Sequence, residues 1–158
     1  MNLEEHKYIG LALKEAKKAY DKEEVPIGAV IVKDGKVISK AHNLREIKNN
    51  ALAHAELLAI EKACKKLNSW RLSGCEMYVT CEPCPMCAGA ILNSRIDKVI
   101  FGAKDEKSGA VVSKIHMLDE EFCNHRVEYK ESILGEECQE IIKDFFKELR
   151  VKKKNKID

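Results

Sequence analysis

No apolar run in this 158-residue chain is long enough to cross a bilayer. The opening stretch, Met1-Asn2-Leu3-Glu4-Glu5, has neither the basic nor the apolar region of a secretory leader. These two absences argue against a membrane or secreted protein and place the expected location in the cytoplasm. Internal repeats are missing, as are Pro/Gly/Ser-rich linkers and low-complexity blocks, so solenoids and loosely tethered modules are not expected. Net charge is small as well, at +2, and composition alone does not imply a nucleic-acid partner. What basic character there is crowds the C-terminus at Arg150, Lys152, Lys153, Lys154 and Lys156. The expectation is a single domain over 1–150 with enough length for a real core, followed by a basic, flexible tail over 151–158. With 45% apolar and 34% charged residues, the composition is that of an ordinary globular domain.

The seven cysteines cannot all pair within one chain. Cys84 and Cys87 form a Cys-x-x-Cys, which in an intracellular protein points to metal or redox chemistry more often than to a structural disulfide.

Apolar residues at helical spacing (Ile9, Ala12, Leu13, Ala16, Ala19, Tyr20) predict a first helix that ends before Pro26. Ala29 to Val32 is a short apolar run, Asp34-Gly35 is a hairpin-turn signal, and Val37-Ile38 begins the return strand. A second helix is expected from His54 to Leu67, and a strand from Met77 to Thr80. Cys84 stands at an N-cap position with Pro85 at the first helical position, predicting a third helix to about Asn93. A strand at Lys98 to Phe101 follows, then an active-site loop from Gly102 to Lys114. Val127 to Tyr129 is a candidate last strand. The final helix is expected over 136–149, with Ile141, Ile142, Phe145 and Leu149 inward. A hairpin followed by alternating strands and helices argues an α/β layer structure, a mixed sheet with helices on both faces.

Chemistry concentrates in two motifs that both begin predicted helices: His54-Ala55-Glu56 and Pro83-Cys84-Pro85-Met86-Cys87. Cys84 and Cys87 lie on one helical turn, so both sulfurs can reach one ion, and His54 can approach from the side. Three protein ligands leave a fourth position of tetrahedral zinc for water, whose pKa zinc lowers to about 7. Glu56 need not touch the metal; a carboxylate there can take the water's proton and deliver it to a leaving amine. Helix N-termini favour thiolate and hydroxide at both motifs. Taken singly these residues have plainer readings: a packed histidine, a redox pair, a surface glutamate. Cys81, three residues before Cys84, also leaves formally open a closed Cys₃His structural site.

The paired H-x-E and P-C-x-x-C motifs resemble those of the zinc nucleobase and nucleoside deaminases. The resemblance narrows over residues 4–150. Glu24-Val25-Pro26-Ile27-Gly28-Ala29, Ala41-His42-Asn43, Ala53-His54-Ala55-Glu56, Glu82-Pro83-Cys84 with Met86-Cys87-Ala88-Gly89-Ala90, Ser94-Arg95-Ile96, Phe101-Gly102-Ala103 with Asp105 and Gly109, Asn124-His125-Arg126-Val127-Glu128 and Asp144-Phe145-Phe146 are similar to the bacterial tRNA-specific adenosine deaminases. That resemblance implies a cytidine deaminase-like, three-layer α/β/α fold with about five strands, and a homodimer. It implies one zinc per subunit held by His54, Cys84 and Cys87, with Glu56 as the proton shuttle. The implied reaction is hydrolytic conversion of adenosine to inosine at the wobble position of a tRNA anticodon. Asn43 and the Ala55 backbone would then orient the base. Asp105, Asn124, Asp144, Phe145 and Phe146 would contact the anticodon stem-loop. From the residues alone, Asn43 also reads as a turn residue, Phe145 and Phe146 as core, and Trp70 and Arg71 as structural or dimer contacts.

The chain departs from the family at Ala51-Leu52, where Pro-Thr is usual; losing that rigid turn is expected to affect the pocket rim. The Cys81-to-Met86 block also resembles guanine deaminases, so a deaminase of free bases or nucleosides is the competing reading. A zinc-stabilised RNA-binding module without catalysis is a third.

Overall fold

The computed structural model describes residues 2–157. Helix α1 (Leu3–Asp21) begins at Asn2, whose side chain accepts the Glu5 N–H and so caps the first turn. Its buried face runs through Tyr8, Ile9, Ala12, Ala16 and Ala19, at the spacing the sequence predicts. Strands β1 (Gly28–Lys33) and β2 (Lys36–His42) form an antiparallel hairpin. Its turn places Asp34 at φ 51° and Gly35 at φ 73°. Two consecutive positive φ values match the twist of the flanking strands, and Asp-Gly tolerates them.

Helix α2 (Ala55–Leu67), strand β3 (Cys75–Cys81), helix α3 (Pro85–Asn93) and strand β4 (Lys98–Ala103) follow. A short 3₁₀ turn at Met117–Asp119 precedes β5 (Glu128–Lys130), and α4 (Gly135–Ile157) closes the chain. The five strands form one mixed sheet in the order β2-β1-β3-β4-β5. β1 pairs antiparallel with both β2 and β3, whereas β3–β4 and β4–β5 are parallel.

Both faces of the sheet are covered, which is why its central strands read as continuous apolar runs. Successive side chains alternate between two cores. Ala29, Ile31, Met77, Val79, Val99 and Phe101 face a core shared with α2 and α3. Val30, Val32, Tyr78 and Ile100 face a smaller core with Tyr8, Ile9 and Cys138 from α1 and α4. Helix α2 approaches the sheet through Ala55, Ala59 and Ala63, side chains short enough to let the helix lie close.

Several boundaries differ from the sequence reading, β3 running from Cys75 to Cys81 among them. Gly102 and Ala103 belong to β4, so the loop beside the site starts at Lys104. β5 begins one residue later than expected. α4 continues to Ile157, eight residues past the apolar periodicity, and there its Lys152 pairs with Glu23 at 2.9 Å. A lysine-rich stretch has good helix propensity even where no apolar face marks it.

The topology brings four chain segments to one edge of the sheet. β3 and β4 are parallel, so both deliver their C-terminal ends there. β1 runs against β3 and contributes its N-terminal end, and β2 runs against β1 and contributes Ala41-His42-Asn43. Open sheets bind ligands at such an edge.

Candidate active site

At this edge α2 and α3 both begin. His54 is the N-cap of α2 and Cys84 the N-cap of α3, both with extended backbones, and neither side chain caps its helix. The two side chains are therefore free to point at each other. His54 Nδ1 lies 3.7 Å from Cys84 Sγ and 3.5 Å from Cys87 Sγ, and the donor atoms of all three residues lie within 4.8 Å of one another. A tetrahedral ion with nitrogen and sulfur ligands at about 2.0 and 2.3 Å requires nitrogen–sulfur separations of about 3.6 Å. The triad meets that requirement, so its donor set and spacing fit a metal ion. Among the described residues the cluster does not include Cys81, which removes geometric support for a closed four-ligand site.

The electrostatics agree with a thiolate site. A hydrogen bond from the Cys87 thiol pulls Cys84 down to about 4 against the opposing push of burial, and His54 adds to the lowering. Cys87 is raised by that same contact and by burial. His54 is raised by its contact with Cys84. Glu56 is 4% exposed, and burial pushes its carboxyl up to about 7.

A cavity of about 120 Å³ opens over the cluster. That is below the roughly 300 Å³ at which pockets for drug-sized ligands begin, so it suits a single flat ring system. His54, Ala55, Glu56 and Cys84, at the starts of α2 and α3, line it. Val25, Ile27, Asn43 and Arg45 make one wall, and Cys81, Glu82, Asp105 and Ser108 the other. Asn43 is buried; its Nδ2 donates to the Val25 carbonyl and its Oδ1 accepts the Arg45 N–H. Asp105 accepts from the Lys107 and Ser108 N–H groups and from the Ser108 hydroxyl, closing a tight turn at the rim.

The remaining candidates lie elsewhere. Asn124 lines a separate hollow of about 320 Å³ beside α3, with Arg95, Met117 and Phe122. Asp144 and Phe146 are exposed on α4. Phe145 is buried between Tyr20 and Phe146, with ring centroids at 5.8 and 5.4 Å and edge-on geometry.

Two rim-building residues escape a spacing argument. Glu24, 1% exposed, accepts the Glu46 and Ile47 N–H groups at 3.0 and 2.8 Å and so pins the segment leading to His54. Glu82 does the same for the opposite loop, and its hydrogen bonds hold its carboxyl below the ordinary value although burial pushes it up. Both stand in motifs that carry the family resemblance, Glu24-Val25-Pro26 and Glu82-Pro83-Cys84, but nothing in the sequence assigned either a role. The chain turns at Ala51-Leu52, where Asn50 Oδ1 accepts the Leu52 N–H at 2.9 Å and the Asn50 carbonyl accepts the Ala53 N–H at 3.1 Å.

The MafB19-like deaminase family matches residues 3–150, which include His54, Glu56, Cys84 and Cys87. The chain belongs to that family. It is 54% identical to the tRNA-specific adenosine deaminase of Bacillus subtilis (strain 168) over 147 residues, 93% of this chain and 91% of that one. A solved structure from studies of A-to-I editing by tRNA:A34 deaminases at the wobble position superposes with a TM-score of 0.83 at 42% identity, covering 85% of this chain and 98% of that one. A guanine deaminase from Bacillus subtilis is also 42% identical, but it matches 66% of each chain with a TM-score of 0.61. The deaminase fold expected from the sequence is thus the fold observed, and the tRNA deaminases match more of the chain than this guanine deaminase does.

Proposed function

We propose that this deaminase is a zinc enzyme that hydrolyses adenosine to inosine and ammonia at the wobble position of a tRNA anticodon. The observation that carries the reading is the three-ligand cluster with buried Glu56 in one small cavity, in a chain similar to a tRNA-specific adenosine deaminase over 93% of its length. His54, Cys84 and Cys87 would hold the zinc. When bound in such a site, zinc acidifies water to a pKa of about 7 and so supplies the nucleophile at neutral pH.

The chain's own groups do the rest. Glu56, with its carboxyl near 7, is poised to accept a proton from water and to return one to the departing amine. Asn43 has spent one N–H and one lone pair on the backbone, which leaves one of each for the edge of an adenine. Ala55 is the first residue of α2, where a backbone N–H has no partner within the helix, and that donor is available to the base. Asp105, Asn124, Asp144 and Phe146 are the proposed contacts to the anticodon stem-loop, with Phe145 packed behind Phe146. Lysines toward the end of α4 suit an RNA backbone.

A homodimer is part of the proposal. Trp70 and Phe122 are 58% and 69% exposed, which suits surfaces covered by a second copy. The cytoplasm suits a chain in which none of the seven cysteines is paired in a disulfide. No helix among the described residues is long and apolar enough to span a membrane.

Guanine is the competing substrate, favoured by the shorter match to the guanine deaminase. Ammonia release measured from guanine, adenine, adenosine, cytosine and an anticodon stem-loop separates the two. The proposal expects turnover of the stem-loop, weakening steeply with salt as phosphate contacts do. Rapid turnover of free guanine with none of the stem-loop would replace it.

A further inference from the structure

Glu82 sits between the end of β3 and the ligand Cys84, and it is 3% exposed. A buried carboxylate is costly unless its oxygens are satisfied. This one is saturated. Oε1 accepts the Asp105 N–H at 3.1 Å and the Ser113 hydroxyl at 2.5 Å. Oε2 accepts the N–H groups of Val111, Val112 and Ser113 at 3.1, 2.8 and 3.0 Å. Five donors from one loop converge on one side chain, about the full acceptor capacity of a carboxylate.

The backbone is shaped around this contact. A Cβ at Gly109 would lie 2.4 Å from Glu82 Cδ and 2.5 Å from the Asp105 carbonyl, so only glycine lets the loop close over the carboxylate. Pro83 tightens the same junction by accepting the Ala110 N–H at 2.9 Å. The part of the loop that Glu82 anchors is thereby joined directly to the turn that carries a metal ligand. Its outer part, Asp105 to Ser108, forms one wall of the catalytic cavity, and Asp105 is itself locked by its own turn. A loop without regular structure would otherwise sample many positions, and ordering it on binding would weaken affinity.

We propose that Glu82 is a positioning residue for substrate: its carboxylate holds the 105–113 loop as a preformed wall of the cavity and thereby sets affinity for the base-bearing RNA loop, not the rate of the chemical step. This rests on the function proposed above. None of the five hydrogen bonds of Glu82 goes to His54, Cys84 or Cys87: one goes to Asp105, which lines the cavity, and four go to Val111, Val112 and Ser113 behind it.

The test compares wild type with Glu82→Gln, which keeps size but turns an amide N–H₂ toward backbone donors. Gly109→Ala provides a second variant, which leaves the charge intact and forces the loop off the carboxylate. For both, the expected result is a rise of about tenfold or more in KM for a wobble-adenosine stem-loop, with kcat within about threefold and one metal per chain retained. Amide exchange gives a readout that does not involve substrate. The Asp105, Val111, Val112 and Ser113 amides should exchange at least about tenfold faster in Glu82→Gln, while those of β1 and β3 stay slow. Unchanged exchange in the loop overturns the clamp. A fall in kcat at unchanged KM, or loss of metal, assigns Glu82 to the chemistry or the ligand set and overturns the proposal too. If wild type makes no inosine, the function reading fails and takes the substrate half of this proposal with it, whereas the exchange rates still decide whether Glu82 holds the loop.

Discussion

Glu56 is a buried carboxyl two positions beyond His54, and its environment raises it to about 7 while the neighbouring Cys84 is lowered to about 4. Environment, not residue type, sets these two groups apart, as the proposed roles of proton carrier and ligand require. Replacing Glu56 with Gln should lower kcat by at least about a hundredfold while one metal per chain remains bound, as measured by kinetics alongside metal analysis. Cys81→Ala should leave that metal stoichiometry unchanged, because the cluster is complete without Cys81; loss of the metal would restore the four-ligand site. At this scale the sequence told much. His54, Cys84, Cys87 and Glu56 are separated by short spacings on helix starts, and helix geometry converts such spacings into directions. The roles of Glu24 and Glu82 were not legible, because their partners lie 22 to 31 residues away and, the Ser113 hydroxyl apart, are backbone N–H groups, which leave no mark in a sequence.

Among the elements, α1 and α4 make separable predictions. Glu15 on α1 is buried and takes hydrogen bonds from Lys18 and from His42 Nδ1 at the end of β2. Lys22 Nζ lies 3.0 Å from His42 Nε2. An ammonium can only donate, so Nε2 accepts and the proton rests on Nδ1, facing Glu15. Burial pushes Glu15 up, but Lys18 and His42 outweigh it, and the net shift is below the ordinary 4.5. A lowered folded value means the stabilisation is complete above pH 4.5 and is lost as pH falls through the folded value. Urea midpoints of wild type should therefore drop more between pH 7 and pH values below 4.5 than those of Glu15→Gln. On α4, adjacent phenylalanines face different ways. Phe145→Ala should cost about 3 kcal/mol of stability in urea unfolding, as removal of a buried aromatic does. Phe146→Ala, which loses the edge-on contact with Phe145, should cost less, about 1 kcal/mol, but weaken stem-loop binding by about 1–3 kcal/mol if the ring stacks on a base. The helices and the hairpin were readable because apolar periodicity, Asp34-Gly35 and Pro85 each act locally. The last turns of α4 were not, because lysines extend a helix without an apolar stripe to reveal it.

For the whole molecule, function follows from strand direction. β3 and β4 are parallel, and β1 and β2 run so that their relevant ends meet the same edge; this gathers Asn43, His54, Cys84 and Asp105 from segments far apart in the chain. The mixed, doubly covered sheet could be expected from the order of elements. That Asn124 and the α4 face stand apart from the cavity could not, since distance between surfaces depends on packing and not on motif. An RNA loop reaching all of them must be larger than a free base, and the cavity is small enough to admit one ring system. The central claim is that this cavity deaminates a single adenosine presented by a tRNA. It is tested most directly by incubating zinc-loaded protein with an anticodon stem-loop bearing adenosine at the wobble position and mapping inosine nucleotide by nucleotide. The account predicts inosine at that position alone, with one ammonia released per inosine and none of either from Glu56→Gln. Zinc-loaded wild type that leaves the wobble adenosine intact contradicts it.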